Sequence, residues 1–314
     1  MRLATRSNGT PDGELIVVSR DAQRCLSGHG TLQQAVERWT ETELALRMMA
    51  ERLEQGEGDP LDQVRLLAPL PRAWQWLDGS AFPQHGELMQ EAFNLPPIET
   101  DRPLMYQGMS DRFLSGKQDV ALPSEADGID FEGEFGVITD AVPMGITPAQ
   151  ALDHVKLIIL INDWSLRAIA PVEMKTGFGW VQAKPACSAA PFAVTPDELG
   201  TAWQEGRVHL PLQVTLNGEW FGQPHGREMQ FGFHDLIAHA ARTRDLVAGT
   251  VIGSGTVSNT DYESVGSCCL SERRAIEMID NGAASTPFLH FGDRVRMEAL
   301  GGPFGVIDQQ VVKA

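Results

Sequence analysis

The chain has 314 residues, 42% of them hydrophobic, and a formal net charge of −17. The length suits two unequal domains, and the apolar fraction is enough for a buried core, which excludes wholesale disorder. No Lys/Arg run occurs, so the basic footprint that nucleic acid or an anionic membrane surface demands is missing. A small anionic substrate stays compatible, because a metal ion and a few buried cations reverse the field locally.

The opening residues hold no apolar stretch of the signal-peptide kind, and the longest apolar run, Leu157 to Ile161, is too short to cross a bilayer. The expectation is a cytoplasmic protein. Cys25, Cys187, Cys268 and Cys269 show no CxxC spacing and read as reduced, partly buried thiols. Asn8-Gly9 and Asp12-Gly13 predict a short turn before a strand at Glu14 to Ser19. In residues 31–55, Leu44, Leu46, Met48, Met49 and Leu53 fit the apolar side of one or two amphipathic helices. Asp59-Pro60 ends that pattern, and Leu66 to Gly79, with two prolines, reads as an extended connector. A boundary near residue 70 follows, with an N-terminal accessory α+β domain over 1–70 and a larger domain over 71–314.

Gly128 to Thr139 alternates as a half-buried strand does. Thr147-Pro148 marks a helix start, and the helix leads into Val155 to Asp163, an apolar strand of the kind buried on both faces. Further on come Val208 to Trp220, an amphipathic helix at Phe231 to Arg242, the glycine-rich Gly249 to Asn259, and closing strands near Asp293 to Leu300 and Phe304 to Val312. Gly253-Ser254-Gly255 is a poor phosphate loop, since no Lys-Ser/Thr follows it. Many short strands with few helices predict a β-rich α+β fold.

Glu132 and Glu134 stand two apart in a strand, so they share one face, with Phe131, Phe135 and Val137 on the other. The pair fits a solvated strand face or a metal site. Asp163 ends the apolar strand, as turn chemistry or as a third ligand. Three carboxylates would suit a hard cation: Mg²⁺, Mn²⁺ or Ca²⁺.

The runs DFEGEFGVI (130–138) and INDWSLR (161–167), then Lys184-Pro185, GSGTVSN (253–259) and FGDRVRME (291–298), resemble the fumarylacetoacetate hydrolase family over roughly residues 70–314. The N-terminal LATRSNGTPDGELIVVSRD resembles the accessory domain of bacterial fumarylacetoacetase-like members. The resemblance implies a mixed β-sandwich roll, usually dimeric, with a divalent cation, Mg²⁺ foremost and Ca²⁺ or Mn²⁺ as alternatives. It implies metal ligation by Glu132, Glu134 and Asp163, with Asp78 as a fourth acid seven residues before a catalytic histidine, His85. It places Lys184 and Arg167 among the catalytic groups and Tyr106 and Thr256 against substrate.

Four positions depart from the family pattern. Ala170 replaces a glutamine, Ser80 a tyrosine and Asn94 an arginine that reads a distal carboxylate. Leu270 stands where an acid should orient His85, leaving Glu87 as a substitute. The implied activity is metal-dependent hydrolysis of a carbon–carbon bond in a small diketo acid. The alternative is a 2-oxo-acid hydratase, isomerase or decarboxylase on the same fold.

Overall fold

A computed structural model describes residues 1–98 and 100–314. Its strands and helices are β1 (Arg2–Arg6), β2 (Glu14–Val18), β3 (Arg24–Ser27), α1 (Leu32–Glu37), α2 (Trp39–Glu54), β4 (Gln75–Gly79), α3 (Pro83–Phe93), β5 (Met105–Gln107), β6 (Gly133–Thr139), β7 (Val155–Asn162), β8 (Ala193–Val194), β9 (Leu212–Leu216), β10 (Glu219–Gly222), α4 (Phe233–Ala240), β11 (Thr250–Gly253), α5 (Leu270–Asn281), β12 (Arg294–Ala299) and β13 (Val306–Lys313), with shorter pieces between them. A large mixed sheet runs in the order β3–β2–β1–β8–β7–β6–β11–β4–β5, and a second sheet runs β10–β9–β12–β13. The fold is a strand-rich α+β architecture, as expected. Among the described residues, no helix is long and apolar enough to cross a membrane.

β6 and β7 form the spine. They pair antiparallel, with Glu134 opposite Ile161 and Val137 opposite Ile158. Every residue of β6 is buried, and all of β7 except Lys156. Their side chains alternate between two cores. Phe135, Val137, Ile158 and Leu160 pack toward the second sheet, with Val214, Met297 and Ile307. Ile138, Leu157, Ile159 and Ile161 pack toward α1 and α2, with Leu32, Val36, Leu46 and Leu53. The half-buried strand expected at Gly128 to Thr139 is thus buried on both faces. It is also broken: Ile129–Asp130 pairs with Ser165–Leu166 before β6 begins.

The N-terminal strands join the large sheet through β1, where Arg2 lies opposite Val194. Residues 31–55 form two helices, and a Thr31–Gln34 capping box starts the first. Leu46 and Leu53 are buried as expected, whereas Leu44 is 71% and Met48 56% exposed. One turn of a narrow apolar stripe cannot turn all five residues inward. The expected connector ends in a strand: β4 lies parallel to β11 and antiparallel to β5. Local pattern could not show this, because two prolines precede it and its partners lie far along the chain.

Leu160→Ala should lower the unfolding free energy by about 2–5 kcal/mol, since it opens a cavity in the two-sided core. Leu44→Ala should change it by less than about 0.5 kcal/mol. Urea denaturation monitored by tryptophan fluorescence measures both, and equal shifts would contradict this distribution of the core.

Candidate metal centre

The alternation of β6, β7 and β4 turns their acids to one side. Glu134 has the parity of Ile138, Asp163 that of Ile161, and Asp78 that of Trp76, all on the face toward α1 and α2. Asp78, Glu134 and Asp163 therefore converge, each offering an oxygen within 4.8 Å of the others, and all three are buried. Gly253 makes room for them. A Cβ there would stand 2.6 Å from Asp78 Oδ1 and 2.8 Å from Glu134 Oε2. The glycine-rich run that made a poor phosphate loop is thus a floor under two carboxylates.

Glu132 shares the face but not the triad. Its Oε1 accepts from Lys184 Nζ at 2.8 Å, from Arg167 Nη2 at 2.7 Å and from Ser165 Oγ at 2.7 Å. Its Oε2 accepts from the Thr256 hydroxyl. Lys184 Nζ also donates to Asp163 Oδ2 at 2.6 Å, so this buried ammonium bridges Glu132 to the triad. Tyr106 donates its hydroxyl to the same Oδ2, and Cys187 Sγ lies 2.9 Å from Asp163 Oδ1.

Charge is unevenly distributed here. Burial and then the charge of Asp163 push the Asp78 carboxyl up to about 8. Burial, then Asp78 and Asp163, push Glu134 well above the usual carboxylate range. Burial works the same way on Glu132, but Lys184 and Arg167 outweigh it and hold that group well below its ordinary value. Burial opposes the charge on Lys184, yet Asp163 and Glu132 keep the ammonium above its ordinary value. Neither oxygen of Glu134 has a hydrogen-bond donor among the described residues, although both are buried. Buried carboxylates without donors call for protonation or a cation. An all-oxygen triad with an unpartnered carboxylate fits a divalent hard cation.

His85 is the third residue of α3, and its Nδ1 lies 2.9 Å from Glu272 Oε2. Glu272 is wholly buried in the first turn of α5. The sequence reading missed it. Leu270, the position inspected for the acid, is a core residue, and the acid sits two residues later. The substitute Glu87 lies exposed on α3. The run SERRAIEMID carried the signal of an amphipathic helix, which would have put Glu272 in its first turn. Asp130 and Cys187 were also missed as members of this cluster.

Arg167 is no surface group. It bridges Asp130 Oδ2 at 2.8 Å and Glu132 Oε1 at 2.7 Å, with 18% of its side chain exposed. Among the departures, Ser80 is exposed beyond the end of β4, Asn94 ends α3 with a positive φ of 50°, and Ala170 opens a short exposed helix.

Residues 75–312 match the model of the fumarylacetoacetate (FAA) hydrolase C-terminal domain, and residues 1–72 match fumarylacetoacetase N-terminal domain 2. The 2,4-didehydro-3-deoxy-L-rhamnonate hydrolase of Sphingomonas sp. (strain SKA58) is 26% identical over 163 residues, which is 51% of this chain and 54% of that protein. The chain thus spans about half the length of that relative. The oxaloacetate tautomerase YisK of Bacillus subtilis (strain 168) is 23% identical over 256 residues, 80% of this chain and 74% of that protein. The maleylpyruvate hydrolase of Sphingobium sp. SYK-6, solved with manganese(II) and pyruvate, superposes over the whole of both chains with a TM-score of 0.69 at 17% identity. That likeness is one of fold. With these two models matching residues 1–72 and 75–312, the chain belongs to the fumarylacetoacetate hydrolase family.

Proposed function

We propose that the chain is a metal-dependent hydrolase that cleaves a carbon–carbon bond in a small 2,4-diketo acid. The single observation that carries this reading is that the chain holds both a His85–Glu272 pair, whose histidine charge reaches Glu132, and a buried carboxylate triad. Asp78, Glu134 and Asp163 would hold the cation, with Glu132 tied to them through Lys184. Mg²⁺ and Mn²⁺ both suit that donor set. When bound, such a cation polarises the oxygens of a chelated 2-oxo acid and favours its enolate.

The side chains do the rest. Glu272 accepts from Nδ1–H of His85, which fixes the tautomer and leaves Nε2 free as a base. His85 takes a proton from water, and the water oxygen bonds to the 4-carbonyl carbon. The C3–C4 bond then breaks, its electron pair passing to the 2-oxo fragment as an enolate. That carbon takes up a proton, giving a carboxylic acid and a 2-oxo acid. Lys184 and Arg167 keep Glu132 ionised, and Tyr106, Cys187 and Lys184 hold Asp163 by both oxygens.

A tautomerase or isomerase is the second reading, favoured by the oxaloacetate tautomerase relative, which aligns over 80% of this chain. Enolisation needs the cation but no activated water.

Glu134→Gln should weaken Mn²⁺ binding by at least about tenfold, the loss that even an outer-shell partner of a metal causes. Titration followed by the free Mn²⁺ EPR signal reads this, and unchanged binding would remove Glu134 from the centre. His85→Ala should keep Mn²⁺ while hydrolysis of 2,4-dioxopentanoate falls about 10²–10⁴-fold. Turnover surviving within a few fold of wild type would mean that His85 is not the base. Chromatography of products from 2,4-dioxopentanoate and oxaloacetate, with and without Mg²⁺, should show acetate and pyruvate from the former. Only tautomerised or isomerised products, with no acetate released, would favour the second reading.

A further inference from the structure

Asp130 is wholly buried, and it touches neither the carboxylate triad nor His85. Its Oδ1 accepts from the amides of Phe131 at 2.8 Å and Leu270 at 2.7 Å. Its Oδ2 accepts from the amide of Ser271 at 3.0 Å and from Arg167 Nε at 2.8 Å. Leu270 and Ser271 are the first two residues of α5, and Glu272 is the third. A carboxylate here satisfies free amides of the first turn and carries the charge that a helix N-terminus favours. One side chain therefore fixes two separate parts of the site. Through α5 it fixes Glu272, and with it His85. Through Arg167 it fixes Glu132, which Lys184 joins to Asp163.

The backbone repeats the connection. Glu132 forms a bridge with Cys269, and Gly133 N donates to Cys268 O at 3.0 Å, so the chain entering α5 lies along the acid-bearing strand. Those contacts set the distance between the strand and the helix. The first turn of α5 is then oriented by the Leu270 and Ser271 amides on Asp130, together with Cys269 Sγ, which caps the Glu272 amide at 3.3 Å, and that orientation aims Glu272.

We propose that Asp130 is a positioning residue that keeps the His85–Glu272 base in register with Glu132 and the metal-binding carboxylates. The inference rests on the reading of His85 as the base that activates water. An aspartate is required because all four groups facing it donate, three of them amides and one a guanidinium. An asparagine would turn an amide NH₂ toward donors and release Arg167 or the helix.

The test compares wild type, Asp130→Asn, Glu272→Gln and the double variant as Mn²⁺-loaded full-length proteins, with 2,4-dioxopentanoate as the substrate. Asp130→Asn should bind Mn²⁺ within about threefold of wild type and show KM within about threefold, while kcat falls about tenfold or more. The double variant should be no more than about threefold slower than Glu272→Gln alone, because residues acting through one another are not additive. Wild-type kcat in Asp130→Asn, or losses that multiply in the double variant, would overturn the inference. A wild-type rate in Glu272→Gln would instead overturn the base itself, and the positioning role with it. Should Asp130→Asn fail to fold, Arg167→Lys takes its place, since it removes the planar pair of nitrogens, Nε and Nη2, that holds Asp130 and Glu132 at once. It should show the same kcat loss at unchanged KM, and a wild-type kcat there would contradict the register.

Discussion

Asp78, Glu134 and Asp163 are forced together in a buried space, and their mutual repulsion is the constraint on which the rest of the site depends. Asp78 and Glu134 lie in β4 and β6, and Asp163 directly follows β7, so the sheet itself brings them together and unfolding would let them part. In a buried setting of reduced dielectric, like charges at this separation interact far more strongly than in water. The protein answers in two ways. Lys184 and Arg167 neutralise one side of the cluster, at Glu132 and Asp163. On the other side, Asp78 and Glu134 are left with raised carboxyls, and Glu134 has no donor among the described residues. That asymmetry is what the proposed cation would relieve.

The sheet explains why so acidic a cluster is tolerated. β6 and β7 are covered by the second sheet on one face and by the N-terminal helices on the other, and their side chains supply both cores. The spine is anchored by burial of large apolar residues along its length, so the fold can carry an electrostatically costly end. Gly253 belongs to the same arrangement, because any side chain there would collide with two of the carboxylates.

The legible parts of the sequence were those with short-range logic. Strand parity put Glu132 and Glu134 on one face, the apolar run of β7 announced a strand buried on both sides, and the family pattern linked Asp78, Asp163 and His85 to them. The division of labour between Glu132 and Glu134 was not legible. Both obey the same parity, and only the positions of Lys184 and Arg167 assign one to cations and leave the other bare. Glu272 escaped because a shift of two residues along the chain is half a turn of helix. The position that should have held an acid holds a core leucine, and the acid reaches His85 from the other side of the same turn. The four bonds on Asp130 have no sequence signature, since three of its partners are backbone amides, two of them 140 and 141 residues away.

Crystals grown with Mn²⁺ and measured at its absorption edge would test the central claim most directly. One anomalous peak within coordination distance of Asp78, Glu134 and Asp163 is the predicted result. A protein that binds Mn²⁺ with its peak elsewhere, and these three carboxylates bonded only to one another or to Lys184, would contradict it.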